Sequence, residues 1–176
     1  TGLDPNNDRI MEIAAIRFEH GEIVDRFVSL VNPGIDIPNL ITEITGISNS
    51  MVYKSPTEAE IIDDFLSFLG DSPLVAHNIR FDEQFLSRLC QRHEKEENNF
   101  KKYDTLQLAR SLLFEQPVFN LTALSDFYGL SSDNAHRAEN DTENTGFIFL
   151  ELIKELAGYP LDLISKVNAL VQGESI

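Results

Sequence analysis

Two adjacent apolar segments near the start of the chain constrain the fold more than any other feature of the sequence. The segment Ile10 to Phe18 is largely apolar, and the segment Ile23 to Val31 alternates apolar with polar residues. The residues between them, Glu19-His20-Gly21-Glu22, are polar and include a glycine, which is typical of a β-hairpin. Turn residues at Asn32-Pro33-Gly34 end the second strand. We therefore predict an antiparallel strand pair at the start of the fold.

Helical patterns follow the hairpin, with one short apolar strand among them. Ser55-Pro56-Thr57-Glu58 has the composition of a capping box, with Ser55 as the N-cap, and predicts a helix that ends at Gly70. Leu74-Val75-Ala76 is predicted to be a short buried strand. Apolar residues at helical spacing predict further helices, which cover residues 81–90, 105–113, 120–128, 136–156 and 163–171. A hairpin followed by helices and a buried strand predicts a mixed α/β layered fold.

The composition fits one domain and excludes some classes of protein. The chain has 176 residues, 42% of them hydrophobic. No apolar run approaches the roughly 18 residues of a membrane span, so no membrane partner is expected. The single cysteine, Cys90, cannot form an internal disulfide. We expect a buried thiol in a reducing, cytoplasmic compartment.

The net charge is strongly negative. Lys and Arg number 14 against 29 Asp and Glu, which gives a net charge of −15. Proteins that bind nucleic acid non-specifically usually present a basic surface. The charge is explained most simply by a soluble, acidic surface. It predicts weak affinity of this domain alone for DNA.

Two segments place a histidine five residues before an aspartate. They are His77-Asn78-Ile79-Arg80-Phe81-Asp82 and His136-Arg137-Ala138-Glu139-Asn140-Asp141. Each aspartate falls at the start of a predicted helix, where the macrodipole alone would stabilise it by about 0.3–1 kcal/mol. Taken singly, each residue has such a structural explanation, but the ordered pair of motifs points to a shared site.

Together with Thr1-Gly2-Leu3 and the loop Ile44-Thr45-Gly46-Ile47, these segments resemble the motifs of the DEDDh, DnaQ-like 3′→5′ exonucleases of the proofreading type. The resemblance implies a ribonuclease H-like fold with a mixed central sheet flanked by helices. In that family the first motif reads Asp-x-Glu-Thr-Thr-Gly-Leu, and this chain opens on its last three letters. The resemblance therefore implies that the first strand, with two acidic ligands, is truncated.

The resemblance also implies a two-metal site that uses Mg²⁺ or Mn²⁺. Asp141 corresponds to the last acidic residue, which binds metal directly, and Asp82 to the middle one, which acts at the second metal. His136 corresponds to the catalytic histidine, and its ordinary pKa near 6.5 suits a general base. Because two carboxylates offset only two of the four positive charges of a metal pair, we expect this fragment alone to be inactive.

Substrate contacts are implied at six further positions and possible at a seventh. Leu3 would pack on the terminal base, with the backbone of Thr1 and Gly2 nearby. Thr45 stands where several relatives place a histidine, and its hydroxyl could bind a phosphate or sugar. The remaining residues would shape the pocket wall: His77, Asn78 and Phe81.

The function implied is hydrolysis at the 3′ end of DNA, in proofreading or repair, by an exonuclease domain over residues 1–157. Residues 158–176 are predicted to form a C-terminal helix or a linker to a downstream domain. A fused or associated polymerase, or a DinG-type helicase, would then be the partner. Two alternatives stay open: a module that binds a nucleic-acid end or a polymerase without cutting, and a 3′→5′ exoribonuclease.

Overall fold

The computed structural model describes residues 1–97, 99–130 and 137–160. Strands and helices in these ranges follow the order β1 Glu12–Glu19, β2 Glu22–Leu30, α1 Asn39–Thr45, α2 Asn49–Val52, α3 Glu58–Leu69, β3 Leu74–Ala76, α4 Ile79–Arg92, β4 Lys102–Asp104, α5 Thr105–Leu112, α6 Leu121–Phe127 and α7 Ala138–Leu156. The mixed α/β architecture is confirmed. The predicted tail helix over 163–171 lies outside the described residues.

The predicted hairpin is confirmed. Strands β1 and β2 pair antiparallel, from Glu12 opposite Leu30 to Glu19 opposite Glu22. The two turn residues between them both have positive φ, 54° at His20 and 86° at Gly21. This is the type I′ geometry, whose twist matches that of the flanking strands, and glycine adopts it without steric cost.

The strands form two small sheets. Strands β3 and β4 pair in parallel, with Leu74 opposite Lys102 and Ala76 opposite Asp104, in a sheet separate from the hairpin. Helix α7 contacts both β1 and β3 and so joins the two sheets. Strand β4 was missed in the sequence because it has three residues, two of them charged, and periodicity needs a longer segment.

The predicted start of α3 is wrong by two residues. Thr57 is the N-cap, and its capping box is closed by Glu60, whose Oε2 accepts the Thr57 N–H at 2.7 Å. Pro56 cannot be helical because its carbonyl accepts the Asn32 N–H at 2.8 Å and Thr57 bridges to Asn32. Glu58 is instead buried, and α3 runs to the predicted end at Gly70.

Helix α7 is fixed by close packing on two sides. Ile148 and Leu152 are fully buried in a cluster with side chains of α5 and α6. On the β1 side, the rings of Phe18 and Phe147 meet edge to face at 5.5 Å. A Cβ at Gly146 would lie 2.3 Å from the Phe18 ring, so glycine is required there for the helix to approach β1. Among the described helices, none is long and apolar enough to cross a membrane.

Candidate functional site

The start of α4 is held by a buried carboxylate. Asn78 adopts the left-handed conformation, with φ 64° and ψ 54°, directly after β3 and His77. Its N–H donates to Asp104 Oδ1 at 2.9 Å, and the same oxygen accepts the Leu106 N–H at 2.9 Å. Asparagine tolerates this conformation better than most residues. Asp104 therefore fixes the turn from which α4 and its first-turn residue Asp82 project.

His77 is held by the neighbouring strand and helix. Its Nδ1 lies 2.9 Å from Oγ1 of the fully buried Thr105, and that hydroxyl lies 3.3 Å from the Ala76 carbonyl. Burial lowers the pKa of His77, while the Asp104 charge and a hydrogen bond to the Phe119 backbone oppose that shift. The imidazole is therefore neutral at pH 7. Its contacts are structural, and a role in the pocket wall stays a prediction.

Asp82 has a strongly perturbed carboxyl group. The residue retains exposed surface, but the protein crowds the carboxyl, and this desolvation raises its pKa to about 6. A hydrogen bond to its own backbone opposes the shift, and the negative charge of Asp104 adds to it. Such a group is stabilised as a carboxylate when a cation approaches. This is the behaviour expected of a metal ligand.

Asp141 lies in the first turn of α7, and its N–H donates to the Arg137 carbonyl at 3.0 Å. It is half-buried, seven residues before the fully buried Ile148, so both lie on the inward face of the helix. Asp82 stands in the same relation to the fully buried Leu89 in α4. Both α4 and α7 contact β3. The predicted pair of acids thus projects from two helices that share one strand as a neighbour.

A second buried carboxylate holds the start of α7. The side chain of Glu12, at the start of β1, is 6% exposed. Its Oε1 accepts from Arg137 Nε at 3.0 Å and Nη2 at 2.6 Å, and its Oε2 accepts the Ala138 N–H at 2.8 Å. Sequence reasoning missed Glu12 and Asp104. The signal for Glu12 was an acidic residue within the otherwise apolar run Ile10 to Ile16, and that for Asp104 was its position directly before a helix.

The chemistry of the donors fits Mg²⁺ or Mn²⁺, since both prefer oxygen ligands. The number of donors does not suffice for two ions. Within the ranges that the structure describes, no three side chains of His, Cys, Asp or Glu are grouped to hold a metal. The predicted catalytic histidine, His136, lies outside the described residues.

The first three residues differ in their contacts. Thr1 is buried, its amino group donates to the Arg9 carbonyl at 2.7 Å, and its hydroxyl lies 3.2 Å from Asp8 Oδ1. A Cβ at Gly2 would lie 2.2 Å from the Asp8 carboxylate, so a larger residue there would displace that side chain. Leu3 is 79% exposed. The exposed Leu3 is available to an apolar partner, as the predicted contact with a base requires.

The other two predicted substrate contacts also differ in availability. The Thr45 hydroxyl donates to the Ile41 carbonyl at 2.8 Å and accepts the Ile47 N–H at 3.2 Å, so binding a phosphate would require these bonds to change. Phe81 is 38% exposed, and its ring lies 5.0 Å from that of Phe85. Phe81 therefore presents an aromatic surface beside Asp82, and both substrate roles stay predictions.

Comparison with known proteins identifies the family. The exonuclease family model RNase_T matches residues 1–149, and the chain belongs to this family. The PolC-type DNA polymerase III of Caldanaerobacter subterraneus subsp. tengcongensis is 34% identical over 176 residues, which cover 100% of this chain and 12% of that protein. The 3'-5' exonuclease DinG of Bacillus subtilis is 34% identical over 173 residues, covering 98% and 19%. The chain thus spans a small part of these relatives, and its resemblance to the DEDDh, DnaQ-like exonucleases is confirmed.

The fold is confirmed by comparison with a solved structure. The E. coli exonuclease I, in complex with a dA16 oligonucleotide, superposes with a TM-score of 0.77 at 20% identity. The match covers 96% of this chain and 41% of that chain. At this identity the likeness establishes the ribonuclease H-like fold alone.

Proposed function

We propose that the chain is a metal-dependent exonuclease domain that removes nucleotides from the 3′ end of DNA. The observation that carries the proposal is the family match over residues 1–149, which includes Asp82 and Asp141 in the first turns of two helices beside β3. The name of the DinG relative supports the 3′→5′ direction, and the oligonucleotide bound to exonuclease I supports a DNA strand as substrate. The polymerase III relative supports a cytoplasmic role in proofreading or repair.

Hydrolysis of a phosphodiester needs an activated water and a stabilised leaving oxygen, and two divalent ions, when bound, would supply both. Asp82 and Asp141 would hold Mg²⁺ or Mn²⁺ together with further oxygen donors. The proximity of Asp104 and the desolvation of Asp82 favour occupancy by a cation, because a cation relieves both penalties. His136 would accept the proton of the attacking water near neutral pH.

Substrate would be held largely by the terminal nucleotide. The exposed Leu3 provides an apolar surface for the terminal base, and the half-exposed Phe81 lies beside Asp82 in the first turn of α4. Neither contact depends on a basic surface. This arrangement suits a chain whose net charge of −15 opposes binding of the phosphate backbone.

The first test is digestion of a 5′-labelled single-stranded DNA oligonucleotide in Mg²⁺ or Mn²⁺. We expect shortening from the 3′ end by a form of the chain extended upstream through an Asp-x-Glu strand, and little or none by the 176 residues alone. Asp82→Asn and Asp141→Asn should each abolish it. The matched control is Asp64→Asn, at an exposed position of α3. Digestion that survives both site substitutions would overturn the assigned roles.

The same assay separates DNA from RNA as the substrate. A matched RNA oligonucleotide tests the exoribonuclease alternative, since discrimination depends on a contact to the 2′-hydroxyl. Faster cleavage of DNA would support the proposal, and faster cleavage of RNA would replace it.

A binding module without catalysis is the second candidate. The net charge of −15 favours it, as does the absence of a group of three potential metal ligands among the described residues. If neither the 176-residue chain nor the extended chain cuts DNA in Mg²⁺ or Mn²⁺, two binding experiments would test the module. They are fluorescence anisotropy with a labelled oligonucleotide and direct binding of a polymerase. Binding without cleavage would then establish the module.

We further propose that a fused or associated polymerase or helicase provides most of the affinity for DNA. The motivating facts are the acidic surface and the coverage of 12% and 19% of the two relatives. We expect the dissociation constant for single-stranded DNA to be much higher for the 176-residue chain than for the same chain joined to such a partner. Equal affinities would exclude that role.

A further inference from the structure

Glu12 is a buried acid that the proposed mechanism does not use. Both of its carboxylate oxygens are occupied: Oε1 by the Arg137 guanidinium and Oε2 by the Ala138 N–H. With its side chain 6% exposed, Glu12 has little contact with solvent. It is therefore poorly placed to bind a metal, and its partners are all at the start of α7.

The N-cap residue of α7 does not cap the first turn with its own side chain. This residue is Arg137, whose side chain makes no capping hydrogen bond. Helices usually begin with a Ser, Thr, Asp or Asn that caps its own first turn. Here the cap comes from a strand 126 residues away. A remote cap fixes the helix start relative to the strand, which a local cap does not do.

The geometry links this cap to the candidate ligand. The Arg137 carbonyl accepts the Asp141 N–H at 3.0 Å, so one turn of helix joins the residue that Glu12 binds to Asp141. Farther along, Ile148 and Leu152 anchor the helix in the core. The core and the remote cap thus restrain α7 on both sides of Asp141.

We propose that Glu12 is a positioning residue for Asp141, acting through Arg137 and the Ala138 amide to fix the first turn of α7. This rests on the proposed function for the role of Asp141. A buried ion pair often contributes little net stability compared with apolar side chains of the same size. What Glu12 supplies is a fixed placement of the helix start. Residues that orient metal ligands typically change metal affinity or activity by about 10–100-fold when replaced.

The test compares Glu12→Gln with two controls. Glutamine keeps the size of the side chain and one acceptor oxygen but loses the charge that binds Arg137. Lys154→Gln breaks an exposed ion pair near the far end of the same helix, Lys154 to Glu151 at 2.6 Å. Ile148→Val trims a fully buried side chain in α7 without touching its first turn. The second control reports what a general loss of stability does by itself.

Four measurements are made on each variant of the upstream-extended protein: hydrogen exchange of the Ala138 amide, Mn²⁺ affinity by water-proton relaxation, kcat and KM for the oligonucleotide, and the urea midpoint of unfolding. We expect Glu12→Gln to lose protection at Ala138, to bind Mn²⁺ about tenfold more weakly or worse, and to lose kcat with KM nearly unchanged. Both controls should keep the Mn²⁺ affinity of the unsubstituted protein.

The outcomes are separable. If Glu12→Gln keeps its protection at Ala138, or if Mn²⁺ affinity follows the urea midpoint equally in all three variants, the positioning role is overturned. If the unsubstituted extended protein neither binds Mn²⁺ nor cuts, the proposed function fails. In that case the exchange of Ala138 still decides whether Glu12 fixes the helix start.

Discussion

The starts of α4 and α7 are each held by a buried carboxylate, but among the described residues only one of the two carboxylates is paired with a cationic side chain. Each helix carries a candidate acid in its first turn, Asp82 or Asp141, and each start is bound by a buried carboxylate from another element. Glu12 is paired with Arg137, whereas Asp104 is bound by two backbone N–H groups. Desolvation raises the pKa of Asp82, and the charge of Asp104 adds to that shift. A carboxylate can thus hold the start of a helix whether or not a cationic side chain neutralises its charge.

The largest effect is expected from Asp104→Ala. The substitution removes the cap of α5 and leaves the Asn78 N–H without its acceptor, so the free energy of unfolding should fall by about 2–4 kcal/mol. Urea denaturation measures it. Asp126→Ala, at an exposed position of α6, is the control and should change stability by less than about 0.5 kcal/mol.

A smaller loss is expected from Glu12→Ala. The Ala138 N–H loses its cap, but the Arg137 side chain is 38% exposed and can be rehydrated. We therefore expect the free energy of unfolding to fall by about 1–3 kcal/mol, less than when a fully buried ion pair is broken. Arg26→Ala should cost less than about 1 kcal/mol in the same urea titration. A loss larger than that of Asp104→Ala would break the proposed ranking of the two helix starts.

The left-handed residue gives a sharper probe of the α4 start. Asn78→Ala should cost about 1 kcal/mol, because alanine is disfavoured at φ 64°. Asn78→Gly should be close to neutral, since glycine adopts this conformation readily. Thermal unfolding of the two variants measures the difference. Equal losses would mean that the asparagine side chain, and not the backbone conformation, matters there.

The last prediction is a pH dependence of stability at the α4 start. Burial and Asp104 raise the pKa of Asp82 from 3.8 to about 6, so the folded state binds the proton more tightly than the unfolded state. The stabilising contribution of the protonated group is fully present below about pH 3.8 and is lost as the pH rises through 6. The difference in unfolding free energy between the protein and Asp82→Asn should therefore grow over this window. Mg²⁺ should lower the pKa in a carboxyl NMR titration, and a flat difference would contradict the assignment.

The sequence predicted those features that depend on neighbouring residues. The hairpin, with its turn at His20 and Gly21, depends on local alternation and a glycine. The helix predicted over 120–128 is found as α6, and Asn120 caps it by accepting the Ala123 N–H at 2.8 Å. The resemblance gave the family and the positions of Asp82 and Asp141, because motif spacing is a property of the chain alone.

What could not be predicted depends on contacts between distant residues. The Glu12 cap joins residues 126 apart, and the Asp104 contact to Asn78 joins residues 26 apart. The predicted start of α3 was wrong for the same reason, since the Asn32 N–H binds the Pro56 carbonyl and Thr57 is extended. No local pattern reports which buried acid faces which helix start, and the electrostatic difference between the two starts follows from those pairings.

At Gly146, helix α7 packs closely against the Phe18 ring of β1. A methyl group at Gly146 would fall 2.3 Å from the ring, so either the Phe18 ring or the helix would have to shift. Asp141 lies five residues nearer the N-terminus, about 7.5 Å along the helix axis at 1.5 Å per residue. Any tilt about that contact would swing the acid relative to Asp82. The distance between the two acids therefore depends in part on the missing Cβ of Gly146.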